Sequence, residues 1–334
     1  MRMQVNSGAT FAKLSAVFLL GLTACAQAAE PGKAEHGVLV RVATIYLSPD
    51  NTSSKMADVE RGREVAILEK SNKWIHVLAT LLGQRTTRAM TEESENPDER
   101  DITGWILDKG VVRASTPNGD QILYGAAADA EAEASRAHGR KGAAQDAFYL
   151  YSRTQEYFPN SPLAGEALYR AADIRWQLDR EDVMSRPSAR TKEAFLRSGM
   201  NEELMKQVMK KYPHTKWADL AAFHLIENKL CGDWQGSADC PRKEAEKYEK
   251  YAREYPNSTA APEALYDAAW RLAALIDIYK TEEQPKKADE AKADGMRIAQ
   301  EIVSKYPQSD WGARAQTLLY MMQQNIPTYG NATD

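Results

Sequence analysis

Four segments of this 334-residue chain align without gaps, each opening on an aromatic residue followed by proline: residues 158–169, 212–223, 255–266 and 306–317. The prolines, Pro159, Pro213, Pro256 and Pro307, stand 43 to 54 residues apart. A proline ring clashes with an αR residue before it and donates no hydrogen bond, so each one ends an incoming helix. Two positions on, Ser161, Thr215, Ser258 and Ser309 carry side-chain oxygens suited to capping the next helix. Five and eight positions past each proline the residues are small: Ala164 and Ala167, Ala218 and Ala221, Ala261 and Ala264, Gly312 and Ala315. Small side chains at a fixed place let paired helices approach closely. A single helix pair cannot bury its own apolar face, so the units must stack, and an all-α solenoid is expected.

The flanking sequence supplies the helices. Ala245, Tyr248, Ala252 and Tyr255 keep a helical rhythm before one turn, and Ala261, Leu265, Ala268, Leu272 and Ile276 keep it after. This helical-repeat region spans 120–325, with 326–334 as a tail. The pattern resembles tetratricopeptide repeats, whose second helix commonly ends in Tyr-Pro or Phe-Pro. The variant seen at 255–266, Tyr-Pro-x-Ser followed by an Ala-Leu-Tyr element, is similar to repeats in bacterial cell-envelope proteins such as the lipoprotein subunit of the β-barrel assembly machinery. Intervals of 43 to 54 residues exceed that family's 34 and imply lengthened helices or loops. The last unit reads Ala-Gln-Thr where the first and third read Ala-Leu-Tyr, as a capping unit would. The resemblance implies a groove that takes an extended segment or helix of a partner protein. Trp176 and Trp270 are candidate anchors for such a partner, burial between helices being the other reading.

Ahead of the repeats, at 36–115, strand signals follow one another closely: Val38, Val40 and Val42 alternate with Leu39, Arg41 and Ala43, then come 64–69 and 74–79. The run 43–50 with its Ser-Pro turn, Gly62 before a Val-Ala-Ile-Leu strand, Trp74, and Gly104-Trp105 resembles the bacterial SH3-type domain. That implies a small all-β SH3-like barrel, and domains of this family often bind cell-wall peptides in a shallow groove beside the loops. Carried onto this sequence, the groove residues are Tyr46, Trp74 and Trp105, with core packing as the competing reading for both tryptophans. Residues between Leu81 and Asp101 are polar and aperiodic, and read as a long inter-strand loop.

The N-terminus is an address. Arg2 and Lys13 precede an apolar run, 14–22, of the length of a signal-peptide core and too short to span a bilayer. At its end Leu22-Thr23-Ala24-Cys25 resembles the lipobox of bacterial lipoproteins, which implies a signal peptide over 1–25, a lipid on Cys25 and a linker over 26–35. Cleavage after Ala28 is the alternative and would release a periplasmic protein. No Asp follows Cys25, which in that class implies the periplasmic face of the outer membrane. No other segment is long and apolar enough to cross a membrane, so the only membrane contact expected is the lipid.

Cys231 and Cys240 bracket a Gly-rich loop between a helix ending near Leu230 and one starting after Pro241. In an oxidising compartment they are expected to form a local disulfide rather than a metal site, for which further ligands are wanting. A net charge of −4, from 43 basic and 47 acidic residues, offers no footprint for nucleic acid. No nucleophile, phosphate-loop or metalloprotease motif is present, and the carboxylates read as solvated helix faces. The expected protein is a multidomain, non-enzymatic envelope lipoprotein without cofactor or metal, in which an SH3-like barrel and a tetratricopeptide-like solenoid bind envelope proteins. Binding of peptidoglycan through the barrel is the alternative.

Overall fold

A computed structural model describes residues 34–81, 100–185, 200–231, 234 and 236–329. Cys25 with its targeting segment, the stretch 82–99 and the end of the tail lie outside the described residues. The N-terminal part is one antiparallel sheet: β1 (Glu35–Leu39), β2 (Ala43–Tyr46), β3 (Lys55–Val59), β4 (Glu64–Ser71), β5 (Trp74–Leu81), β6 (Arg100–Leu107) and β7 (Val111–Val112). Its spatial order is β3-β2-β6-β5-β4-β1-β7. Ile45 and Val59 from one edge share a single core with Val111 from the other, around Ile75, Val77 and Ile106. The sheet therefore curls on itself into a half-barrel.

The first strand departs from simple alternation. Val38 and Leu39 are both fully buried, while Val42 lies beyond the strand and is exposed. Leu39 faces the sheet's own core. Val38 faces the other way, into a core built with Leu123, Ala127 and Leu150 of the helices. A strand covered on both faces has no solvent side and need not alternate.

Nine α-helices follow among the described residues: α1 (Gly119–Ala134), α2 (Ala143–Tyr157), α3 (Ala164–Ser185), α4 (Glu203–Lys211), α5 (Lys216–His224), α6 (Asp239–Glu254), α7 (Ala261–Thr281), α8 (Pro285–Lys305) and α9 (Asp310–Gln324). The prolines act as the sequence implies. Phe158, Tyr212, Tyr255 and Tyr306 each close a helix at φ between −125° and −130°, outside the αR region, with the proline next. Thr215 and Ser309 cap α5 and α9, accepting from Ala218 N and Gly312 N. Ser161 and Ser258 instead accept from the amide two residues on, and the helices α3 and α7 start two positions later than in the capped units. All eight small positions are buried, which is what lets consecutive helices close on one another. α6 begins at Asp239, earlier than Pro241 suggests, because a proline in a first helical turn forfeits no hydrogen bond. The outward positions of α9, Arg314, Gln316, Thr317 and Tyr320, are exposed, the polar outer face of a terminal unit.

The sheet is docked rigidly on the first two helices. Gly62, at φ +79°, brings the β3–β4 turn so close to α2 that a Cβ there would lie 2.8 Å from Tyr149 Cβ. Beside it Arg61 Nε donates to Asp146 Oδ2 at 2.6 Å, and the same guanidinium pairs with Glu133 of α1. Tyr157 donates to Glu64 Oε1 at 2.5 Å, and the Arg63 guanidinium lies 4.0 Å from the Tyr149 ring centre.

Candidate functional site

Two surfaces stand out. The first is on the sheet. Register places Tyr46 opposite Trp105 and Trp105 opposite His76, so the three side chains line up on one face of β2, β6 and β5. The His76 and Trp105 rings lie 5.0 Å apart, and Tyr46 meets Trp74 edge-on at 5.5 Å. All three aromatics expected from the sequence are thus brought together, but they do not share one role. Trp74 is only 4% exposed and packs beneath Tyr46, so it is not available to a ligand. Tyr46, Trp105 and His76 are half-exposed, and Leu47 and Met56 add exposed apolar surface nearby. His76 was not legible as a member, because only the strand register brings it beside Trp105.

The second surface is a groove in the helical part. α6 and α8 both pack on α7, and their N-terminal halves line a groove of about 710 Å³. Its floor includes Leu272 and Leu275 of α7, flanked by Ala245 of α6 and Ala291 of α8. The walls carry Asp239, Glu246 and Glu249 from α6, Glu282 past the end of α7, and Glu290 and Asp294 from α8, against the two cations Arg242 and Lys287. Arg297 bridges the two rims, 3.1 Å from Glu249 and 3.6 Å from Asp294. Arg242 is held by Asp239 at 3.0 Å. Burial raises the Tyr279 phenol above its usual range at the mouth of the groove. The sequence suggested solvated carboxylates scattered over helix faces; the fold gathers six of them on one groove. A signal was present, since Asp239, Glu246 and Glu249 recur at helical spacing, as do Glu290 and Asp294.

A disulfide lies beside this groove, at the start of α6. Cys231 and Cys240 are joined, with Cα atoms 6.0 Å apart, and Ser237, Ala238 and Asp239 of the same loop line the groove. Behind it lies Glu244, 1% exposed. Its carboxylate accepts from Cys231 N at 2.7 Å, Trp234 Nε1 at 3.2 Å and Arg271 Nε at 2.8 Å. Trp270 stacks obliquely on Trp234 at 5.3 Å and is partly exposed at this loop. Tyr329 packs on the other side of Trp234, and the tail is pinned where Thr328 N donates to Asp277 at 2.8 Å. Trp176 is corrected: at 2% exposed, with its Nε1 donating to Glu227 and its ring against His224, it holds helices together and presents nothing to a partner.

No family model matches this chain, and no curated protein matches it either. Among solved structures it is similar to a "DHF58 filament" and a "DHF79 filament", each 14% identical and covering 61% of this chain, with 91% and 96% of the filament chains covered. The TM-score of 0.22 in both cases is too low to carry an argument.

Proposed function

We propose that this chain is a non-catalytic scaffold of the bacterial cell envelope, held at the periplasmic face of the outer membrane by a lipid on Cys25. Its half-barrel would be the SH3-like domain and its helices the tetratricopeptide-like array implied by the sequence resemblance. The observation that carries the scaffold reading is the open groove of about 710 Å³ between α6 and α8, lined by residues of three packed helices. The Cys231–Cys240 disulfide supports an oxidising compartment. No helix of the described residues is long and apolar enough to cross a membrane, in keeping with an anchor made of lipid.

The test is capture of the tagged full chain from detergent-solubilised membranes after mild crosslinking. Enrichment of envelope proteins over a tag-only control is expected, and no enrichment would overturn the scaffold reading. In the same cells Cys25→Ala should move the protein from the membrane to the periplasmic fraction; continued attachment would rule out a sole lipid anchor.

The half-exposed Tyr46, Trp105 and His76 favour a second reading, binding of peptidoglycan or cell-wall peptides on the sheet. Sedimentation with peptidoglycan sacculi distinguishes it: the wild type would pellet and Tyr46→Ala/Trp105→Ala would stay in the supernatant.

A further inference from the structure

We infer that the groove between α6 and α8 takes a Lys/Arg-rich helical segment of a partner protein, about ten residues long. This rests on the scaffold reading and names the chemistry of its partner. The length follows from α6, whose groove-lining residues run from Asp239 to Glu249 and so rise about 15 Å at 1.5 Å per residue. The charge follows from what the groove leaves unpaired. Asp239 is engaged by Arg242, and Glu249 and Asp294 are bridged by Arg297. Glu246, Glu282 and Glu290 line the groove with no ion pair among the described residues, against a single such cation, Lys287, so the unpaired charge is net negative; all four are exposed. Like charges lining one groove repel, and a cationic occupant relieves that repulsion while an acidic one adds to it. Leu272, Leu275, Ala245 and Ala291 give the same occupant an apolar contact, so it should carry small or aliphatic residues on one helix face and its cations beside them. Arg297 spans the rims and sets the upper limit of the groove, and the disulfide loop sets the lower one. This bounded length favours a peptide segment over a diffuse counterion layer.

The experiment uses the full exported chain and a fluorescein-labelled twelve-residue peptide of Lys, Leu and Ala, with a Glu-for-Lys counterpart and spermine as comparisons. The basic peptide should bind, and binding should weaken by about tenfold or more when salt is raised from low to moderate ionic strength. Glu246→Lys/Glu290→Lys, two exposed positions, should weaken it by about tenfold or more, whereas Glu69→Lys/Asp129→Lys, the same charge change far from the groove, should change it by less than about twofold. Equal loss in both variants would reduce the effect to net charge and overturn the inference. So would binding of the acidic peptide, or binding of spermine as tight as the peptide's. If the envelope proteins captured by the wild type are captured equally by Glu246→Lys/Glu290→Lys, the inference fails while the scaffold reading stands. If capture itself fails, the scaffold reading falls.

Discussion

Arg271 Nε donates to Glu244 Oε2 at 2.8 Å in a place where the two side chains are only 10% and 2% exposed. The pair is the hub of the last helices. Glu244 ties the disulfide loop through Cys231 N and Trp234 Nε1, and the Arg271 guanidinium lies 4.5 Å from the Tyr248 ring centre. Glu244→Ala leaves the buried Arg271 guanidinium with the Asp267 contact at 3.5 Å and strips two N–H donors of their acceptor, and should cost about 3 kcal/mol in urea unfolding. Glu244→Leu/Arg271→Met, which removes both charges, should recover much of that loss; a double variant as unstable as Glu244→Ala would show that the pair is not what matters.

The disulfide closes a short loop, with a sequence separation of 9, at the lower end of the groove. Cys231→Ser/Cys240→Ser should lower stability by about 2–3 kcal/mol, the value expected for a loop of this size. The Trp234 environment should loosen with it, read as a red shift in tryptophan emission. An unchanged melt and spectrum would mean that the Glu244 contacts alone hold the loop.

Gly62 combines a left-handed backbone with contact to Tyr149. Gly62→Ala should cost about 1–2 kcal/mol from backbone strain alone, and more from the collision with Tyr149. Because the collision lies between sheet and helices, X-ray scattering should also report a larger radius for the variant. Strain without a change in radius would place the cost in the turn and not in the docking.

Asp267 on α7 is held above the usual carboxylate range, burial outweighing the attraction of Arg271. A carboxyl raised in the folded state binds its proton more tightly there than in the unfolded chain. Its contribution is therefore most favourable below the unfolded value of 3.8 and declines as pH rises through that value toward the folded one. Asp267→Asn lacks this decline. Relative to wild type, the variant should gain stability between about pH 3.5 and pH 7 in parallel urea melts. A relative loss over that interval would mean that the Arg271 attraction outweighs burial.

Local chemistry made the helical half legible. Pro159, Pro213, Pro256 and Pro307 act through bonds to their immediate neighbours, so their effect is readable in one dimension, and the helices end where they stand. The disulfide was equally readable, since the eight residues of Gly-rich loop between the cysteines leave few other partners. The candidate sites were legible only in part. Trp74, Trp105 and Trp176 have the same side chain, yet one packs under a tyrosine, one is half-open and one is sealed between helices. Nothing adjacent in the sequence distinguishes them.

Sequence alone determined the order of strands before helices, the punctuation of the helical units, the small residues at their contacts and the covalent staple, because each depends on residues near one another in the chain. Tertiary structure decided the rest: that Val38 and Leu39 are buried on opposite faces of one strand, that Arg61 locks the sheet to α1 and α2, and that Glu246 and Glu290 line one groove. Those outcomes depend on which faces meet after the chain has packed. Burial and charge proximity are properties of neighbours in space, and residues such as Glu246 and Glu290 come to line one groove only when α6 and α8 pack on α7.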